Sequence, residues 1–198
     1  MRVAFLVTHL SGSGHLARTL ALARGVAAQG AEAVVISGGR PLPHLDVGGV
    51  RVVQLPPLAV EGHDYARLLG PDGGPADAAG RGGRAAAAAA AAAGADRLVV
   101  ELYPFGRRAL AAEFEAAIAA AGGRALVSVR DIPEPPRKAQ RIAEAHAALR
   151  RWCDGVLVHG DPAFAPFSLG WPAAGEIVDL LRPTGYVAKP LPPPAGDP

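Results

Sequence analysis

Short runs of branched apolar residues alternate with helix-forming stretches along this chain, and that alternation limits the folds open to it. The runs at 3–7, 33–36, 50–55, 98–100, 125–129 and 155–158 are each closed by glycine, proline, polar or charged residues. They are nearly continuous in apolar character, which marks strands covered on both faces rather than half-exposed ones. After the first run, Leu16, Leu20, Ala23 and Ala27 recur at helical spacing until Gly30 offers a stop. Ala, Leu, Glu and Arg dominate 107–121 and 137–151, which also read as helices. The expected fold class is α/β: a Rossmann-like, doubly wound, mainly parallel sheet of six to seven strands with helices on both faces.

A chain of 198 residues can bury such a core without staples. Its one cysteine, Cys153, rules out an internal disulfide framework and a multi-cysteine zinc site. With 20 Lys and Arg against 18 Asp and Glu, and aromatics at 5%, no clustered basic and aromatic surface for nucleic acid stands out. No stretch has the length and apolarity of a membrane span, and the opening run is too short for a secretory signal. A cytoplasmic protein is expected, with a peripheral place at the inner membrane face as a variant. Residues 56–84, rich in Gly, Pro and Asp, read as a long surface excursion. The alanine run at 85–93 reads as a plain helix, and 189–198 as a proline-rich linker or tail after a domain spanning 1–188.

In a doubly wound sheet, ligands bind at the carboxyl ends of the strands, and the unusual residues of this chain fall there. Gly12, Ser13 and Gly14 follow the first run and open the first helix, a place where the backbone can approach a ligand and N–H groups favour an anion. Gly12, Gly14 and Ala17 also fit a dinucleotide fingerprint, but that reading needs an acid ending the second strand, and Ser37 and Gly38 stand there instead. His15 adds a neutral imidazole able to take a proton from a hydroxyl; a helix-lining role is the plain alternative. Glu101, Arg130, Asp131 and Asp161 each follow a later run. His9, His44, His63, His146 and His159 show no metal-ligand spacing, so no metal is expected.

The segment Gly12-Ser13-Gly14-His15-Leu16-Ala17-Arg18 resembles the opening of GT-B glycosyltransferases related to MurG, and in particular a bacterial group of predicted glycosyltransferases. Further segments resemble that group in order: Leu98-Val99-Val100-Glu101-Leu102-Tyr103-Pro104-Phe105-Gly106, Val129-Arg130-Asp131-Ile132, Gly160-Asp161-Pro162 and Thr184-Gly185-Tyr186-Val187. The resemblance implies the acceptor-side, amino-terminal lobe of an inverting glycosyltransferase. It implies His15 as base, with Gly12, Ser13 and Gly14 near the donor phosphates. Arg18 would face the cleft or pair with an acid, and Arg130 would meet an acceptor carboxylate or phosphate. A carboxylate should hold the other imidazole nitrogen; Glu101 is the first candidate, where the group tends to carry Asp, and Asp131 the second. For Asp131, an ion pair with Arg130 or a turn cap is the alternative. The implied partners are a nucleoside diphosphate sugar, a small or lipid-linked acceptor and a second lobe in cis or on another chain, with no cofactor. A nucleotide-sugar hydrolase and a non-catalytic binding subunit are the alternatives.

Overall fold

The computed structural model describes residues 1–62, 65, 67–136 and 138–188, so His63 and the stretch 189–198 lie outside the described residues. Strand β1 (Arg2–Val7) leads into helix α1 (Gly14–Ala28), followed by β2 (Glu32–Gly39), β3 (Arg51–Val60) and the short β4 (Leu68–Leu69). Helix α2 (Ala78–Ala92), β5 (Arg97–Glu101), α3 (Ala111–Ala120), β6 (Ala125–Arg130), α4 (Ala139–Trp152), β7 (Cys153–His159) and β8 (Leu181–Pro183) complete the order. The strands make one eight-stranded sheet in the order β4-β3-β2-β1-β5-β6-β7-β8, against the six to seven expected. All neighbours pair in parallel except β4, which runs antiparallel along β3.

Side chains alternate across this sheet and feed two separate cores. Val3, Phe5, Val7, Val35 and Val99 pack under Leu16, Leu20 and Ala23 of α1. Ala4, Leu6, Ile36, Leu98, Val100, Val127 and Val129 point the other way, beneath α2, α3 and α4. Trp171, fully buried, closes this second core and donates its indole N–H to His146 Nε2 at 2.9 Å. Trp152 stacks on Tyr103 with ring centroids 5.9 Å apart, so both tryptophans are packing residues.

The stretch expected as a long excursion is more ordered than its composition implies. β3 continues through Pro56 and Pro57 because its register with β2 shifts between Ser37 and Gly39, where a missing ladder N–H costs little. α2 begins well before the alanine run because the Asp77 carboxylate accepts from Gly80 N at 2.6 Å, a side-chain cap that outweighs three glycines. The alanines themselves give α2 a low profile on which α3 packs.

The chain works outward from β1 in both directions, first through β2 and β3, then through β5 to β8. The reversal opens a crevice between the carboxyl ends of β1 and β5. It brings together two positions far apart in sequence: the start of α1 and the last residue of β5.

Candidate active site

His15, in the first turn of α1, and Glu101, closing β5, meet at this crevice with His15 Nδ1 2.9 Å from Glu101 Oε1. An ionised carboxylate only accepts, so Nδ1 carries a proton, and in the neutral ring Nε2 is then the nitrogen with the lone pair. Glu101 is 2% exposed, while a quarter of the His15 side chain remains open and lines the cleft. Arg18, one turn along α1, donates Nη2–H to the same Oε1. Its guanidinium is therefore engaged by Glu101 rather than presented to the cleft as a substrate ligand. Burial alone would raise the Glu101 carboxyl, but the bond from His15, the charge of Arg18 and the Ser128 hydroxyl together hold it below the ordinary value.

Behind the carboxylate lies a chain of polar groups. Ser128 Oγ, on β6, donates to Glu101 Oε2 at 2.5 Å and lies 3.0 Å from His159 Nε2 at the end of β7. His159 Nδ1 in turn lies 2.7 Å from Thr184 Oγ1. Burial lowers His159 to about 4, so its ring is neutral and carries one proton. Since Ser128 gives its hydrogen to the carboxylate, it accepts from His159 Nε2–H, and Nδ1 accepts from the Thr184 hydroxyl. Donation thus runs from Thr184 through His159 and Ser128 to Glu101, which accepts from the other side from His15, the member open to the cleft. Sequence reasoning gives Ser128 no role and says of His159 only that it lacks metal-ligand spacing. The available signal was a lone hydroxyl in the apolar run of β6.

The anion-accepting end of α1 is open. Gly12 has φ +67°, a left-handed turn that a side chain would strain, and a Cβ there or at Gly14 would meet nothing within 4 Å. Ser13 occupies the N-cap without a side-chain bond, and no acid stands in the first turn, so neither meets the first N–H groups of the helix. Asp131 does not join His15. Its Oδ1 accepts from Ile132 N at 2.9 Å and lies 3.8 Å from Arg130 Nε, so it shapes a turn, and the Arg130 side chain stays 60% exposed. A Cβ at Gly160 would sit 2.5 Å from Asp131 Cβ, so two of the sequence motifs meet where the Asp131 side chain lies against the Gly160 backbone. Asp161 caps its own turn through Ala163 N at 2.9 Å.

The cleft beside His15 has a volume of about 850 Å³. Its wall includes the segment after β5, where Leu102 and Arg107 hold left-handed φ of 70° and 60° despite their side chains. That conformation aims Arg107 Nε at the Thr8 carbonyl, 2.8 Å away, and its guanidinium carbon over the Tyr65 ring at 5.7 Å. β2 ends in Ser37, Gly38 and Gly39 with no acid of its own to hold a ribose: His9 donates Nε2–H to the Arg40 carbonyl at 2.8 Å, and Arg84 Nη1 donates to Gly38 O. Among the described residues no group of three or more His, Cys, Asp or Glu could hold a metal, and no helix is long and apolar enough to cross a membrane.

No family model matches the chain, and no curated protein does. Solved structures match its fold. UGT2 of Phytolacca americana, complexed with UDP-2fluoro-glucose and pterostilbene, aligns over 96% of this chain at 15% identity with a TM-score of 0.54. LpCGTa, in complex with UDP, aligns over 96% at 16% identity with a TM-score of 0.53. MurG of Acinetobacter baumannii aligns more loosely, over 81% of this chain and 41% of its own, at 14% identity and a TM-score of 0.43. The likeness to the first two shows the fold: a Rossmann-like lobe of the GT-B kind. This chain spans 55% of the length of each of those two.

Proposed function

We propose that residues 1–188 form the acceptor-side lobe of an inverting glycosyltransferase, with His15 as general base. The observation that carries this reading is the His15–Glu101 pair, 2.9 Å apart at the switch point of the sheet, with Nε2 left open on the cleft. In the proposed reaction, an acceptor hydroxyl gives its proton to Nε2 as its oxygen bonds to the anomeric carbon of a nucleoside diphosphate sugar. The bond from that carbon to the diphosphate breaks on the opposite face, which inverts the centre. Buried Glu101 stabilises the imidazolium that forms and keeps the ring oriented. The open end of α1 at Gly12–Gly14 would take the departing diphosphate's charge. No metal or cofactor enters the scheme. Most donor contacts would come from a second lobe, in cis or on a separate chain, in a cytoplasmic enzyme.

The test is turnover of the complete two-lobe protein with and without acceptor. His15→Ala should reduce transfer about 10²–10⁴-fold while the melting transition stays in place. Transfer by that variant within about tenfold of wild type would overturn the role. Sugar released from the donor with no acceptor present would assign water as the nucleophile.

A further inference from the structure

The cleft beside His15 is more basic than the chain that builds it. Among the described residues, Arg107, Arg108, Arg130, Lys138 and Arg141 line it, against one carboxylate, Glu134. Over the whole chain, 20 Lys and Arg stand against 18 Asp and Glu, so carboxylates outnumber cations in the sequence outside the cleft. The excess is therefore local. Arg107 is held by Thr8 and Tyr65 and belongs to the cleft floor. Arg108 and Lys138 are exposed and Arg141 half-buried, and none of the three has a carboxylate within ion-pair range among the described residues.

The placement of Lys138 and Arg141 is the second observation. Lys138 is the N-cap of α4 and makes no side-chain cap, and the first turn of that 14-residue helix holds no acid. Cations normally favour the other end of a helix, because the N-terminus carries the positive end of the dipole. Here two cations and the dipole repel one another at the mouth of a cavity. A polyanion placed between them turns each of those repulsions into an attraction, and a helix N-terminus can add backbone donors. Pro133, Pro135 and Pro136, which also line the cleft, precede the helix, and each fixes its own φ.

We infer that the acceptor used at His15 is a polyanion, carrying at least two negative charges that Arg108, Lys138 and Arg141 hold at the start of α4. This rests on the glycosyl-transfer reading for the word acceptor, but the anion site is testable without turnover. A neutral acceptor would leave the charges of this wall unused. The two charge-bearing chemistries that fit are a diphosphate and a polycarboxylate.

The experiment is calorimetric titration of this chain with inorganic pyrophosphate and, separately, with citrate. At least one should bind, more weakly as sodium chloride is raised. R108Q/K138Q/R141Q should weaken that binding about tenfold or more, with an unchanged melting temperature since all three side chains reach solvent. The anion that binds tells phosphate from carboxylate. If neither binds below about 1 mM, or if the triple variant binds as wild type does, the inference is overturned. H15A separates the two readings: it should keep anion binding. Anion binding with normal turnover in H15A would sink the transfer mechanism alone. Loss of turnover in H15A with no anion binding in wild type would sink only the polyanion.

Discussion

Two buried carboxylates near the carboxyl end of β1, Glu101 and Glu113, are built from the same parts and end in different uses. Glu101 is 2% exposed and Glu113 3%. Each takes an arginine and a hydroxyl: Arg18 and Ser128 for Glu101, Arg84 and Thr8 for Glu113. Thr8 Oγ1 donates to Glu113 Oε1 at 2.7 Å and Arg84 Nε to Oε2 at 2.9 Å, while Arg84 also reaches the carbonyls of Gly38 and Pro56. That network closes on itself and ties α2 and α3 to the ends of β1, β2 and β3. Glu101 has one donor more, a histidine whose far nitrogen faces a cavity. Burial and ion pairing are therefore common to a clamp and a site, and the open imidazole is what separates them.

The strongest way to break this comparison is to neutralise each carboxylate in turn. Under the proposed transfer mechanism, Glu101→Gln should lower turnover about 10³–10⁴-fold, because the amide cannot stabilise an imidazolium and can fix the wrong tautomer. Circular dichroism should show the fold kept. Glu113→Ala should act the other way. It leaves the Arg84 guanidinium buried without its partner, which costs about 3–5 kcal/mol in urea denaturation. Turnover per folded molecule should stay at the wild-type level. A Glu113→Ala chain that is stable but inactive would erase the distinction.

Acid sharpens the contrast through His159, which reaches only the Glu101 network. Its folded value lies near 4 against an ordinary 6.5, so between those two values the unfolded chain takes up a proton that the native chain refuses. Stability should fall as pH drops through that window, where His9, also lowered by burial, adds its own share, and His159→Gln should make the fall shallower. Glu101 adds its own loss lower down: its carboxyl is held below the ordinary 4.5, so only beneath that value does the unfolded state protonate ahead of the native one. Urea midpoints measured from pH 7 to pH 4 check the His159 slope. A wild-type curve flat across that range would show that His159 does not titrate as placed.

How much of this was legible follows from the range over which each signal acts. Alternation of apolar runs and helices reads along the chain, so the sheet, α1, α3 and α4 were foreseeable. β4 and β8, at two and three residues, are too short to carry any period. The continuation of β3 depends on a register shift with β2, which is a property of two strands rather than one. His15 and Glu101 could be paired in advance because a doubly wound sheet puts the first strand beside the one after its reversal. Ser128, His159 and Thr184 could not, since each adds one polar group to its own segment and their alignment arises only from the β5, β6 and β7 registers. The direction taken by Arg18 was also open, as its two choices share one helical position.

The smallest expected effect isolates the part that sequence did not reveal. Ser128 touches no cleft atom and acts through Glu101, so it is a positioning residue, and its hydroxyl can be separated from its volume by comparing Ser128→Thr with Ser128→Val. Both add bulk beside β5, and only threonine keeps the hydroxyl. Ser128→Val should lose about tenfold in turnover, the scale of one hydrogen bond to a charged group. The acid limb of its pH profile should also move to higher pH, since the hydroxyl helps hold the Glu101 carboxyl down. Threonine should restore both the rate and the limb. If the two variants behave alike, the effect is packing, and the line from Thr184 to His15 is as structural as the clamp around Glu113.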